Sequence, residues 1–143
     1  MPKTQVLIVD DEEDFANALA ERMTNRGLTA DVAFSGDRAL ELVESKPYDA
    51  VVLDLAMPGM DGIETLKRML AINADLQVII LTGRATVTQG VEAVKEGAFE
   101  FLEKPVRIDT LVDKINVAKS RKSTLTEERL NEMIDEITKR RGW

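Results

Sequence analysis

A doubly wound α/β fold, with five parallel strands covered by helices on both faces, is the fold class this sequence predicts. Two observations carry the prediction. Five short strand candidates lie at 5–9, 28–34, 50–55, 77–82 and 99–102, and several are nearly continuous apolar runs. Five stretches with helical spacing of apolar residues alternate with them, which is the pattern of a parallel sheet buried on both sides. The 143 residues, 44% of them hydrophobic, suit one domain with a sizeable core. The sequence contains no internal repeat and no low-complexity segment.

The elements follow in order. "QVLIV" (5–9) is β-branched and ends in Asp10 and Asp11. Phe15, Leu19 and Met23, with Ala16 and Ala20, then recur at helical spacing until Gly27 stops the helix. "LTADVAF" (28–34) is the second strand, and Ser35 can cap a helix carrying Ala39, Leu40 and Val43. "AVVLDL" (50–55) is the third strand, followed by a turn signal through Met57, Pro58, Gly59, Met60, Asp61 and Gly62. A helix over 62–72 carries Ile63, Leu66, Met69 and Leu70. "QVIILT" (77–82) is the fourth strand. A helix near 86–97 is expected to bury Val87, Val91 and Val94 on one face, although Gly90 interrupts it. Gly90 is read as a packing site or, alternatively, as softness in a helix that must move. "FEFL" (99–102) is the fifth strand. After Lys104 and Pro105, a last helix carries Ile108, Leu111, Val112, Ile115 and Ala118.

Composition excludes several chemistries. With no cysteine there is no disulfide, thiolate metal site or cysteine nucleophile. With no histidine there is no Ser-His-Asp triad, histidine zinc site or histidine base. No leading apolar segment and no run near 18 apolar residues is present, so a cytoplasmic protein is expected. The formal net charge is −7, and the acid is concentrated in residues 1–118, with 12 Lys+Arg against 21 Asp+Glu. An acidic body disfavours nonspecific binding to nucleic acid.

Aspartate at the end of a core strand needs a reason, since an unpaired buried carboxylate is costly. In doubly wound folds, ligands bind beyond the carboxyl ends of the strands. Asp10 and Asp11 end the first strand, Asp54 the third and Thr82 the fourth, and Lys104 follows the fifth. With strand order 2-1-3-4-5, the three aspartates converge. Clustered carboxylates repel unless a cation intervenes, and an all-oxygen set suits a hard ion such as Mg²⁺, which leaves room for phosphate oxygens. Asp54 can then act as a nucleophile that becomes an aspartyl phosphate, with Lys104 and Thr82 serving the equatorial oxygens. Each piece has a plainer reading: acids suit a helix start, and a strand-end threonine is often only a β-former.

"VLIVDDEEDF", "VVLDLAMPGMDG", "VIILTGRA" and "GAFEFLEKP" stand in the order and spacing of one family. Over residues 4–118 the chain resembles the receiver domain of bacterial two-component response regulators. The resemblance implies a flavodoxin-like fold and a phosphoacceptor at Asp54. It also implies Mg²⁺ held by Asp10, Asp11, Asp54 and the carbonyl of Ala56, a switch pair of Thr82 and Phe101, and a cis peptide before Pro105. It further implies a cytoplasmic signalling switch rather than a turnover enzyme. The donor would be a partner histidine kinase, a phosphotransfer protein or a small phosphodonor, and the output a protein partner or a homodimer. The stretch from Thr82 to Pro105 looks most like receivers of nitrogen-regulation-type regulators, whose ATPase and DNA-binding domains do not fit in this chain. Two positions that tune the modified state's lifetime are unusual here: Ala56, and Arg84. A Mg²⁺-dependent phosphohydrolase is the rival reading, but its acid/base aspartate would fall where Ala56 stands. A structural module that only dimerises is a third.

Residues 119–143 form a distinct extension beyond a receiver domain of residues 1–118. Leu130, Met133, Ile134 and Ile137 make one apolar stripe at helical spacing, and Lys139, Arg140, Arg141 and Gly142 suit a helix end. Thr124 with Glu127, or Thr126, can cap a separate helix, while 119–123 are either a hinge or a continuation of the preceding helix. The stripe is expected to pack on its own domain, on a second copy or on another partner.

Overall fold

The computed structural model describes residues 3–57, 61–83 and 87–140. Strands β1 (Gln5–Val9), β2 (Thr29–Ala33), β3 (Ala50–Leu53), β4 (Val78–Thr82) and β5 (Glu100–Glu103) alternate with helices α1 (Glu13–Asn25), α2 (Gly36–Ser45), α3 (Gly62–Ile72), α4 (Val87–Lys95) and α5 (Ile108–Arg140). All five strands are parallel, in the order β2-β1-β3-β4-β5.

Side-chain alternation divides the apolar strands between two cores. Leu7, Val9, Val51, Leu53, Val78 and Ile80 face α2, α3 and α4, where Ala39, Val43, Leu66, Met69 and Ala93 meet them. Val6, Ile8, Val52, Ile79 and Leu81 face α1 and α5, against Ala16, Leu19, Met23, Leu111 and Ile115. Local signals act where the sequence places them. Ser35 Oγ accepts the Arg38 amide at 3.2 Å and Asp61 Oδ1 accepts the Glu64 amide at 2.8 Å, capping α2 and α3. Gly27 ends α1 with φ of 86°, a left-handed conformation that glycine adopts without strain. The Lys104-Pro105 peptide is cis. Pro58, Gly59, Met60, Arg84, Arg141 and Gly142 lie outside the described residues.

One expectation is corrected and two open alternatives are narrowed. Val91 and Val94 are 46% and 40% exposed, and the buried face of α4 is instead Gly90 and Ala93. Both stripes satisfy helical periodicity. The space over β5 is occupied by the Phe101 ring, so small residues fit there and valines do not. Second, no separate capped helix begins at Thr124 or Thr126. Residues 119–123 contain neither Gly nor Pro, and α5 runs through them unbroken. The two threonine hydroxyls donate back to the carbonyls of Ser120 and Lys122 within the helix. Third, the stripe does not pack on its own domain: Leu130, Met133, Ile134 and Ile137 are 47–60% exposed.

The first part of that extension is nevertheless tied down. Lys119 Nζ reaches Thr4 Oγ1 at 3.1 Å, and Lys122 Nζ reaches the Tyr48 carbonyl at 2.9 Å and Asp49 Oδ1 at 3.8 Å. Arg129 Nε pairs with Asp75 Oδ2 at 2.7 Å. Helix α5 therefore passes beneath the amino ends of β1, β3 and β4 before leaving the body of the domain.

Candidate functional site

The register builds the site. Val9 pairs with Leu53, so the next residues, Asp10 and Asp54, emerge side by side at the carboxyl edge. Leu53 pairs with Ile80, which sets Thr82 two residues beyond, and Thr82 pairs with Glu103, just before Lys104. Backbone bonds extend the ladder through these positions: Asp10 N–H to the Ala33 carbonyl, Asp54 N–H to Val9 and Lys104 N–H to Thr82. A rigid parallel sheet thus fixes four chemically active side chains on one edge.

Asp54 is 5% exposed, and Asp10 and Thr82 are buried. The Thr82 hydroxyl donates to Asp54 Oδ1 at 3.1 Å, and the Ala56 amide donates to the same oxygen at 3.2 Å. Lys104 Nζ binds Asp10 Oδ2 at 2.9 Å and stands 3.7 Å from Asp54 Oδ2. Its ammonium also lies 4.1 Å from the centre of the Phe15 ring, within cation–π range. Asp10 Oδ1 accepts the Glu12 amide at 2.9 Å, so it also serves the start of α1.

Carboxylate oxygens of Asp10, Glu12 and Asp54 lie within 4.8 Å of one another. Asp11 is not in that group. The only sequence signal for Glu12 was its place in the acidic run that follows β1. Phe15 had no such signal, since its place at helical spacing is equally that of a core residue.

Burial pushes the Asp10 carboxyl above its ordinary range, and the Asp54 charge adds to this, against the Lys104 ammonium and the Glu12 amide. Burial works to lower the Lys104 pKa, but the carboxylates of Asp10, Asp54 and Glu12 outweigh it and the net shift is upward. The lysine is therefore held charged, and the cost of burial falls on Asp10. A donor set made only of oxygen, with an ammonium already bridging two of its carboxylates, fits a hard divalent cation.

Residues 6–116 match the response regulator receiver domain family. The chain belongs to that family. Receiver domains are signalling switches of two-component systems rather than turnover enzymes. This receiver is 38% identical over 117 residues to the C4-dicarboxylate transport transcriptional regulatory protein DctD of Pseudomonas aeruginosa, covering 81% of this chain and 25% of that protein. It is 36% identical to the transcriptional regulatory protein ZraR of Salmonella typhimurium, covering 81% and 26% respectively. The chain thus spans about a quarter of the length of the curated relatives it matches. Among solved structures, a response regulator receiver domain protein from Clostridium thermocellum superposes with a TM-score of 0.82 at 32% identity, over 85% of this receiver and 98% of that chain. No helix among the described residues is long and apolar enough to cross a membrane.

Proposed function

We propose that this receiver accepts a phosphoryl group on Asp54 from a phosphohistidine of a partner histidine kinase or phosphotransfer protein, or from a small phosphodonor. The observation that supports this most is the setting of Asp54, a buried carboxylate with a hydroxyl on one oxygen and an ammonium near the other. In the transfer, one Asp54 oxygen forms a bond to phosphorus while the P–N bond to the donor imidazole breaks. The electron pair stays on that nitrogen, which then takes a proton. Lys104 can turn from Asp10 to the incoming phosphoryl oxygens, and Thr82 can move its hydroxyl from Asp54 Oδ1 to another of them. Phe101, one strand away, is the proposed partner of Thr82 in altering the α4-β5-α5 face.

Asp10, Asp11, Asp54 and the Ala56 carbonyl are the proposed Mg²⁺ ligands, with Glu12 contributing charge to the same group. Mg²⁺, when bound, neutralises the phosphoryl oxygens' charge. Ala56 carries no acid to turn over a phosphohydrolase reaction. Incubation with acetyl phosphate and Mg²⁺, followed by intact mass, should give one phosphoryl adduct. Continuous phosphate release without an adduct would favour the hydrolase instead.

In this reading the receiver's output runs through protein contacts in the cytoplasm, and residues 119–143 act as an extension distinct from the receiver at 1–118. A second copy is the proposed occupant of the exposed stripe. Antiparallel pairing sets Leu130 against Ile137 and Met133 against Ile134. It also brings acidic Glu127 and Glu128 alongside the basic end at Lys139 and Arg140, an isologous and charge-complementary contact. Sedimentation should show a dimer that is lost on truncation after Ser123. Monomers in both samples would remove this part of the reading.

A further inference from the structure

Gly90 lies on the face of α4 that covers β5, and the Phe101 ring lies over it. A Cβ on Gly90 would stand 2.7 Å from Phe101 Cδ2, 3.0 Å from Cγ and 3.2 Å from Cε2. Carbon atoms in contact keep about 3.5–4.0 Å apart. The crowded atoms include the root of the ring, so turning its far edge does not clear them. Ile80 pairs with Phe101 in register, and Thr82 is the next residue of β4 on that sheet face. The ring is thus flanked by the α4 backbone and by the rung that holds the Thr82 hydroxyl. It is half-buried, packed on the core beside Ala93. A glycine inside a nine-residue helix works against that helix. The ring seated on it is the compensation.

We infer that Gly90 is the positioning residue for Phe101: its missing side chain lets the ring seat against α4, and this sets where the ring starts before Asp54 is modified. The inference rests on the reading of Thr82 and Phe101 as a switch pair. Any side chain at position 90 drives the ring off its seat without touching Asp54, Thr82 or Lys104.

A double-mutant cycle on the full chain tests it. In a Phe101→Ala background, Gly90→Ala should raise Tm, as helix propensity requires. With the ring present, the same change should raise Tm less, or lower it. Additive effects would overturn the inference. In parallel, the aromatic NMR signals of Phe101, assigned by their loss in Phe101→Leu, should move in Gly90→Ala without any phosphodonor. Uptake from acetyl phosphate should stay at wild-type stoichiometry. Ring signals unchanged from wild type would overturn the inference as well. If the wild type itself takes up no phosphate, the proposed function falls, while the cycle still decides whether Gly90 seats the ring.

Discussion

The two ends of the same sheet treat charge in opposite ways. At the amino edge each acid has its own base: Asp49 has Lys122, and Asp75 has Arg129. At the carboxyl edge, among the described residues, Asp10, Glu12 and Asp54 crowd together around the ammonium of Lys104. The amino edge is electrically complete and only holds α5 in place. The carboxyl edge gathers carboxylates in a buried setting, a donor set that suits a cation. Within one fold, the balance of charge separates the end that holds α5 from the end proposed to accept phosphate.

The largest effect should come from breaking the carboxyl edge. Asp54→Asn should abolish phosphoryl uptake in the mass assay while circular dichroism and Tm show a folded domain, because the amide is similar in shape but a poor nucleophile. Asp75→Asn at the other edge should leave uptake unchanged and cost only about 0–1 kcal/mol, since Arg129 is largely exposed. Equal uptake in Asp54→Asn and wild type would erase the contrast.

Next in size is the switch. Thr82→Ala should keep uptake but shrink the amide shifts across 87–106 caused by a beryllofluoride phosphate mimic. Full-sized shifts would separate Thr82 from the output.

The metal sharpens the comparison further. Millimolar Mg²⁺ should raise Tm by mass action, because it binds the folded carboxylate group around buried Asp10. Asp11→Asn should weaken that rise if Asp11 is a ligand. Glu12→Gln should weaken it instead if the group seen together in the structure is the binding set. A melting curve indifferent to Mg²⁺ in all three proteins would count against the site.

The smallest effect belongs to a balanced pair. The Lys46 ammonium, 2.7 Å from Asp31, holds that carboxyl below its ordinary value, and the Tyr48 hydroxyl assists, while burial opposes them. A lowered folded-state pKa means stability that is present above the ordinary value of 3.8 and is lost as pH falls through the folded value. Lys46→Ala should therefore lower Tm slightly near neutrality, where the stabilisation is present, and converge with wild type as pH falls below about 4, which flattens the acid limb of a Tm-against-pH curve.

Much of this arrangement was legible in the chain. The runs that became β1, β3 and β4 are buried on both faces, so they read as continuous apolar segments, and each ends in the polar residue that forms the site. What was not legible depends on partners distant in sequence. The buried face of α4 was misread because valine outranks glycine on any hydropathy scale, whereas the space available is set by Phe101 on another element. The continuity of α5 was left open because threonine hydroxyls serve equally as caps and as bonds to the preceding turn. Glu12 was missed because a run of five acids, residues 10–14, hides which of them come together.

The ion pair between Arg129 and Asp75 has a mechanical consequence. Helix α5 beyond the domain is a rod, and the point where it is last held determines its lever arm. Pinned at Arg129, its free end is the 11 residues from 130 to 140, about 16 Å at 1.5 Å per residue. Released there and held last at Lys122, the swinging length grows by more than half, to about 27 Å. A given tilt then carries the tip farther in the same proportion. Asp75, far from Asp54 and on the opposite edge of the sheet, thereby sets the gain with which a small rotation of α5 is transmitted to whatever its far end meets.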